Sequence, residues 1–211
     1  MKKKELAAEV IERLKAEYPE VKCALVYEKP HELLIATRLS AQCTDKRVNL
    51  VTPALFKRFP TIEAFADAEV SEVEEYIKSC GFYHGKARDL VWQAQRLCEV
   101  YGGAVPDNMD DLLTLPGVGR KSANLILGDV FGQPGAVVVD THCIRLSNRL
   151  GLVDNDKDPV RIEKALRAAL PPEKTSDFCH RLVLHGRAVC TARKPLCDIC
   201  CCAAYCKTLN Q

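Results

Sequence analysis

Apolar residues recur along most of this chain at intervals of three and four, the period of a helix buried on one face. In residues 3–17 the stripe is Leu6, Val10 and Leu14, and it closes near Pro19. Residues 31–42 carry Leu34, Ile35 and Leu39, and residues 84–100 carry Leu90, Val91 and Leu97. Polar residues mark where helices begin. Thr44 opens one with Asp45 in its first turn, where an acid complements the helix dipole. Thr61 and Ser71 are the expected N-caps of two short acidic helices, and Asp107 that of a short helix ending at Leu115. Further helices are predicted over about 120–128, 140–150, 158–170 and 175–189. Only Val137 to Val139 reads as a strand, and one three-residue run cannot build a sheet. The pattern predicts an all-α protein. The best internal boundary is the Gly-Pro turn at 132–135, between two apolar segments. No internal repeat or low-complexity tract is visible.

At 211 residues the chain has room for one large domain or two small ones. An apolar fraction of 47% allows a real core and excludes a disordered chain. The 30 Lys and Arg nearly cancel the 28 Asp and Glu, which excludes a polycation. The longest uncharged run, residues 130–139, holds two Gly and one Pro and falls far short of the ~20 residues of a membrane span. Lys2, Lys3 and Lys4 are followed by Glu5, Glu9 and Glu12 rather than an apolar run. No secretory signal is therefore expected, and the protein reads as intracellular, in the cytoplasm or nucleoid, without a membrane partner. The near-neutral total hides segregation. Residues 61–80 carry six acids against one lysine, whereas residues 174–211 carry six Lys or Arg against two Asp. A basic face is all that phosphate binding needs.

Twelve cysteines are many for an intracellular chain, where clustered thiols more often hold metal than form disulfides. Six are scattered: Cys23, Cys43, Cys80, Cys98, Cys143 and Cys179 read as small buried core residues. The other six crowd the C-terminal end. Cys190, Cys197, Cys200 and Cys206 stand in the spacing C-x6-C-x2-C-x5-C. Tetrahedral zinc and an iron–sulfur cluster both fit four such thiolates. Zinc sites usually pair two close ligands with two more across a longer loop. Here all four lie within seventeen residues with one close pair, which favours a [4Fe–4S] cluster. Cys201 and Cys202 adjoin Cys200 and leave alternative ligands open. Between the first two cysteines lie Arg193 and Lys194. A loop pinned at both ends presents them rigidly to a phosphate; otherwise they are two solvated charges.

The run Leu115-Pro116-Gly117-Val118-Gly119-Arg120-Lys121 lies between two short helices. Gly117 and Gly119 permit a tight turn and uncover backbone N–H groups beside a helix N-terminus, which favours anions. This is a helix–hairpin–helix phosphate cradle, shared by enzymes and non-catalytic binders. Lys121 falls in the first turn of the next helix, where the dipole opposes a cation. It reads either as a surface lysine or as a nucleophilic amine. Asp140 is an N-cap or a catalytic carboxylate, with His142 placed to orient it.

These residues resemble the endonuclease III family of DNA glycosylases over about residues 6–206. The signatures are Leu39-Ser40-Ala41-Gln42, the hairpin run extended through Ser122-Ala123-Asn124, Val139-Asp140-Thr141-His142, and the four-cysteine loop. The resemblance implies two helical domains with a DNA-binding cleft between them. Residues 22–133 would form a six-helix domain ending in the hairpin. Residues 1–21 with 134–211 would form the iron–sulfur domain. It implies a monomeric bifunctional glycosylase/AP lyase of base excision repair. Its partner would be double-stranded DNA with an oxidised pyrimidine or an abasic site, the damaged nucleotide being flipped out of the stack. Lys121 then matches the nucleophile and Asp140 the catalytic carboxylate. Gln42 matches a residue that fills the gap left by the flipped nucleotide. Phe82 falls where the family has an apolar wedge; read without the resemblance, it is a core residue. Gly117, Gly119 and Arg120 match the phosphate-binding hairpin, and His142, Arg193 and Lys194 complete the expected DNA contacts. The four cysteines match the cluster ligands. Cys43 departs from the small or polar residue expected there and puts a thiol near the DNA.

Three rivals remain at this level. A related glycosylase for mismatched adenine lacks a lysine at the Lys121 position and carries a further C-terminal domain, whereas this chain stops five residues after Cys206. A non-catalytic hairpin and iron–sulfur binder would need neither Lys121 nor Asp140. A small electron carrier would not need the hairpin.

Overall fold

The structure, a computed structural model, describes residues 2–210. Eleven α-helices and three short 3-10 turns account for its regular structure, and the described residues contain no strand. Val137 to Val139 has no regular structure. No described helix is long and apolar enough to cross a membrane.

The chain divides into two compact units. Residues 23–131 form one of them. It contains α2 (Pro30–Leu39), α3 (Asp45–Arg58), α4 (Ile62–Ala66), α5 (Val70–Ile77), α6 (Tyr83–Tyr101), α7 (Met109–Leu112) and α8 (Arg120–Asp129). The long α6 packs on α4 and α5, and α2 packs on α8. Leu33, Leu34, Leu55, Phe59, Phe65, Ile77, Leu90, Leu97 and Ile126 are buried at this unit's centre. The Phe59 and Phe65 rings meet with centroids 5.0 Å apart.

Residues up to Lys22 and from Gly132 onward form the other unit. It holds α1 (Lys3–Glu17), α9 (Thr141–Leu150), α10 (Pro159–Ala169) and α11 (Thr175–Ala188). The α1 stripe of Leu6, Val10 and Leu14 joins Leu146, Ile162, Leu166, Phe178 and Leu182 in one core. Burying each such side chain contributes roughly 1.5–3 kcal/mol, and α1 has no other apolar face to bury.

Local signals place most helix starts. The hydroxyls of Thr44 and Thr61 accept from the amides of Arg47 and Ala64. Asp158 Oδ1 accepts from Val160 and Arg161. Two expected caps are wrong. The helix at Ser71 starts earlier, with Glu69 at its N-cap and no side-chain bond, and Ser71 is exposed within it. Asn108 rather than Asp107 caps α7, accepting from Asp111 N at 3.0 Å. That helix stops at Leu112 instead of Leu115, and the chain continues in turns from Leu115 N to Leu112 O. Adjacent polar residues compete for a cap, and here the Asn108 side chain is the one that reaches the Asp111 amide.

The scattered cysteines also divide. Cys80, Cys143 and Cys179 are buried as expected, but Cys23, Cys43 and Cys98 are only half-buried.

Candidate active site

In the unit of residues 23–131, the hairpin between α7 and α8 separates the two glycines. Gly117 has φ +73, a left-handed conformation that L side chains adopt at a cost. A Cβ there would stand 2.5 Å from both Cδ and Nε of Arg38 and 3.0 Å from Asp89 Oδ2. Gly119 is extended (φ −103, ψ 174), with open space around a Cβ. Only Gly117 is required by the turn itself. Gly119 instead occupies the N-cap of α8 with no side chain to bond the first amides. The N–H groups of the first turn are then exposed to an anion rather than capped internally.

The hairpin rests on partners that sequence reasoning missed. Arg38 Nε and Nη2 both donate to Asp89 Oδ2 at 2.6 Å, directly beneath Gly117. The buried Gln93 donates from Nε2 to Pro116 O at 3.0 Å. No motif marks them, because they come from α2 and α6.

Arg120 and Lys121 are the first and second residues of α8, and both are exposed. Lys121 makes no side-chain hydrogen bond or ion pair among the described residues. Its amine projects from the same helix end that bears the uncapped amides.

Gln42 and Phe82 lie in this unit as well, and both are exposed. Phe82 is 74% exposed, so the core reading is incorrect. Both residues have positive φ, 53° for Gln42 and 58° for Phe82. Strain of this kind persists where surrounding contacts over-determine it. Here the contact is Lys86, 1% exposed in α6, whose Nζ donates to Leu39 O at 2.8 Å and Cys80 O at 3.4 Å. One ammonium thus ties the segment before Gln42 to the segment before Phe82. Burial pushes its pKa below the ordinary lysine value.

In the other unit, Asp140 caps α9, with Oδ1 accepting from Cys143 N at 2.7 Å. Its second oxygen has no partner among the described residues. His142 Nδ1 lies 3.1 Å from Arg145 Nη2 and packs against Gly186, where a Cβ would stand 2.5 Å from it. The carboxylate's orientation therefore comes from the cap bond.

Cys190, Cys197, Cys200 and Cys206 line one cavity of about 140 Å³. Val189, Pro195, Leu196, Ala203 and Leu209 supply its apolar wall. Cys201 and Cys202 do not line it. Cys202 is 1% exposed in the hydrophobic core, and its sulfur lies 3.7 Å from that of Cys201. Among the described residues, no three His, Cys, Asp or Glu side chains are placed to hold a metal ion. Arg149 Nη1 donates to Cys190 Sγ at 3.3 Å and to Thr191 O at 2.8 Å, and Nη2 to Ala192 O. Tyr18 OH lies 3.2 Å from His185 Nδ1, and His185 Nε2 lies 3.3 Å from Cys200 Sγ. With Tyr18 donating, His185 carries its proton on Nε2 and donates to the sulfur. Arg193 and Lys194 are exposed on the loop that Arg149 holds, and Thr191 Oγ1 donates to Lys194 O at 2.7 Å.

Residues 35–172 match the profile of the HhH-GPD superfamily of base excision DNA repair proteins. An endonuclease III of Synechocystis is 48% identical over 204 residues, covering 97% of this chain and 93% of that protein. One from Bacillus subtilis is 40% identical over 190 residues, covering 90% of this chain and 86% of that protein. A solved trapped endonuclease III–DNA covalent intermediate, an estranged-adenine complex, superposes with a TM-score of 0.92 at 38% identity. That match covers 100% of this chain and 98% of the other. With a profile match over more than half its length and this identity over nearly all of it, the chain belongs to the endonuclease III family of HhH-GPD base excision repair proteins.

Proposed function

We propose that this protein is a bifunctional DNA glycosylase and AP lyase of base excision repair, acting as a monomer on double-stranded DNA inside the cell. Its substrates are oxidised pyrimidines and the abasic sites they leave. The observation that carries this reading is Lys121, an exposed amine without an internal partner, at a helix end whose first amides are uncapped. Those amides and Gly117–Gly119 take a DNA phosphate, and the amine beside them meets the sugar of that strand. That an endonuclease III relative of the same fold was trapped covalently with DNA supports the same chemistry here.

The uncharged Lys121 Nζ attacks C1′ of the flipped nucleotide, and the C1′–N bond to the damaged base breaks. The sugar ring opens as nitrogen and C1′ form a Schiff base. Loss of a 2′ proton then expels the 3′ phosphate by β-elimination, and water releases the lysine. Asp140 assists through the oxygen that its cap bond leaves free. It accepts a proton or stabilises positive charge developing at the sugar. Gln42 and Phe82, both exposed on strained backbone, enter the stack beside the extruded nucleotide. Arg120, His142, Arg193 and Lys194 supply further contacts to DNA.

A [4Fe–4S] cluster suits the four cysteines, which line one shared cavity and whose compact spacing with one close pair favours it over zinc. Cys190, Cys197, Cys200 and Cys206 would hold the cluster, with Arg149 and His185 donating to two of the sulfurs. The cluster would fix the loop that presents Arg193 and Lys194 and supply no bond-breaking step.

Borohydride trapping tests the reading. Duplex DNA with one thymine glycol should give a covalent complex with the protein and none with Lys121→Ala. A complex with an abasic site alone would keep the lyase and change the lesion class. No complex with either, from cluster-loaded protein that still binds DNA, would leave the non-catalytic binding module as the better reading.

A further inference from the structure

Cys43 and Cys80 are 37 residues apart in sequence, yet their segments lie side by side. Cys43 follows Gln42, and Cys80 precedes Gly81 and Phe82. Two observations place the segments side by side, and a third links the two thiols. Lys86 Nζ donates to Leu39 O and to Cys80 O. A Cβ on Gly81 would lie 4.0 Å from Gln42 O. The Cys43 thiol adds to burial in raising the Cys80 pKa. Cys43 is half-buried and open to solvent, whereas Cys80 is 0% exposed. Neither thiol has a part in the Schiff-base chemistry.

We propose that Cys43 and Cys80 form a redox-sensitive pair, which hydrogen peroxide closes to a disulfide across the Gln42 and Phe82 segments, and that the closed form no longer seats DNA. The second half of the proposal rests on the function argued above. Cys43 is the first reactant because it is the one peroxide can reach. Its thiolate attacks one peroxide oxygen, the O–O bond breaks, and Cys43 sulfenic acid and water result. The Cys80 sulfur then attacks the Cys43 sulfur. The S–S bond forms, the S–O bond breaks, and the departing hydroxide takes the Cys80 proton to become a second water. Two thiols are oxidised to one disulfide, and one peroxide is reduced to two waters. Burial holds the Cys80 thiol up at about 11, and the Lys86 ammonium and Arg47 offset part of this by favouring its thiolate.

A disulfide sets the two sulfurs about 2.0 Å apart, closer than any non-bonded contact. Closure therefore draws the segments together. Gln42 and Phe82 sit on strained backbone held by these same segments, so both shift. Misplacement of positioning groups by about 1 Å is enough to cost large factors in rate.

The test uses the full-length, cluster-loaded protein. It is treated with hydrogen peroxide, alkylated, and digested with trypsin without reductant. Peptides 39–46 and 79–86 should appear joined, lighter than their sum by two hydrogens. Trapping on damaged DNA should fall in parallel and return with dithiothreitol. Cys43→Ser should keep its trapping activity at the same peroxide dose, with Cys80→Ala as a second variant. Absence of the joined peptides would overturn the proposal. So would a joined peptide with undiminished trapping, or equal loss in Cys43→Ser, which would place the damage at the cluster thiols. Because the linkage is read without DNA, joined peptides from protein that never traps DNA even when reduced would overturn the functional reading and uphold the thiol pair.

Discussion

Replacing Gly117 by alanine tests how the hairpin is built. At φ +73 an L residue costs roughly 1–2 kcal/mol of backbone strain. The new Cβ would also lie 2.5 Å from Arg38 Cδ and Nε, where ordinary carbon contacts are about 3.5–4.0 Å. Arg38 must move by about an ångström, which disturbs its pair with Asp89. Their side chains are 21% and 23% exposed, so the pair is screened only in part, and its disruption costs a further 1–2 kcal/mol or about that. The total is about 2–4 kcal/mol, which should lower the urea midpoint by about 1 M. Binding to duplex DNA, read by fluorescence anisotropy across a salt series, should weaken and show a shallower salt dependence. Gly119→Ala is the control. It meets open space on extended backbone and loses only the small N-cap preference of glycine over alanine, at most about 1 kcal/mol. Equal midpoints for the two variants, or a Gly117→Ala protein as stable as the parent, would refute the argument.

Asp140→Asn should keep the cap, because its amide oxygen can still accept from Cys143 N, and lose most trapping activity. Asp140→Ala should lose activity and about 1 kcal/mol of stability as well, as thermal melts would show. Indistinguishable stabilities for the two would remove the cap from the account. Lys86 has a folded pKa below its unfolded value of 10.5. The unfolded chain therefore binds the extra proton between the two, and stability rises with pH across that window while the full penalty acts below it. Urea midpoints of the parent should gain on those of Lys86→Met as pH climbs from neutral toward the free-lysine range, and a constant difference would contradict the assignment. Cys197→Ala should lower iron content and visible absorbance while Cys201→Ala leaves both unchanged; the reverse pattern would reassign the ligands.

Helix positions were readable because their causes are local. A stripe of period 3.6 and a hydroxyl or carboxylate one step before it act within four or five residues. Thr61 and Asp140 therefore appear in the sequence as the caps they are, and the helices at Thr44 and Asp158 begin where the sequence places them. Where two polar residues adjoin, as Asp107 and Asn108 do, local preference does not choose between them. The hairpin run and the cysteine spacing were equally plain, because each is a short stretch of chain.

Phe82 shows where local reasoning stops. An aromatic residue next to a helix reads as core, yet it stands exposed on left-handed backbone. The neighbouring segments are tied by Lys86, a lysine that looks like any surface residue on a helix and is nearly wholly buried. It is buried because two backbone carbonyls converge on it, one of them 47 residues away. Arg38 beneath Gly117, His185 on Cys200 and the approach of the Cys43 segment to the Cys80 segment are of the same kind. Sequence alone determined the helices, the cradle, the nucleophile candidate and the thiolate set, each written within a short stretch. Tertiary structure alone decided what holds them in place, because a hydrogen bond or a steric contact depends on distance in space and leaves no period along the chain.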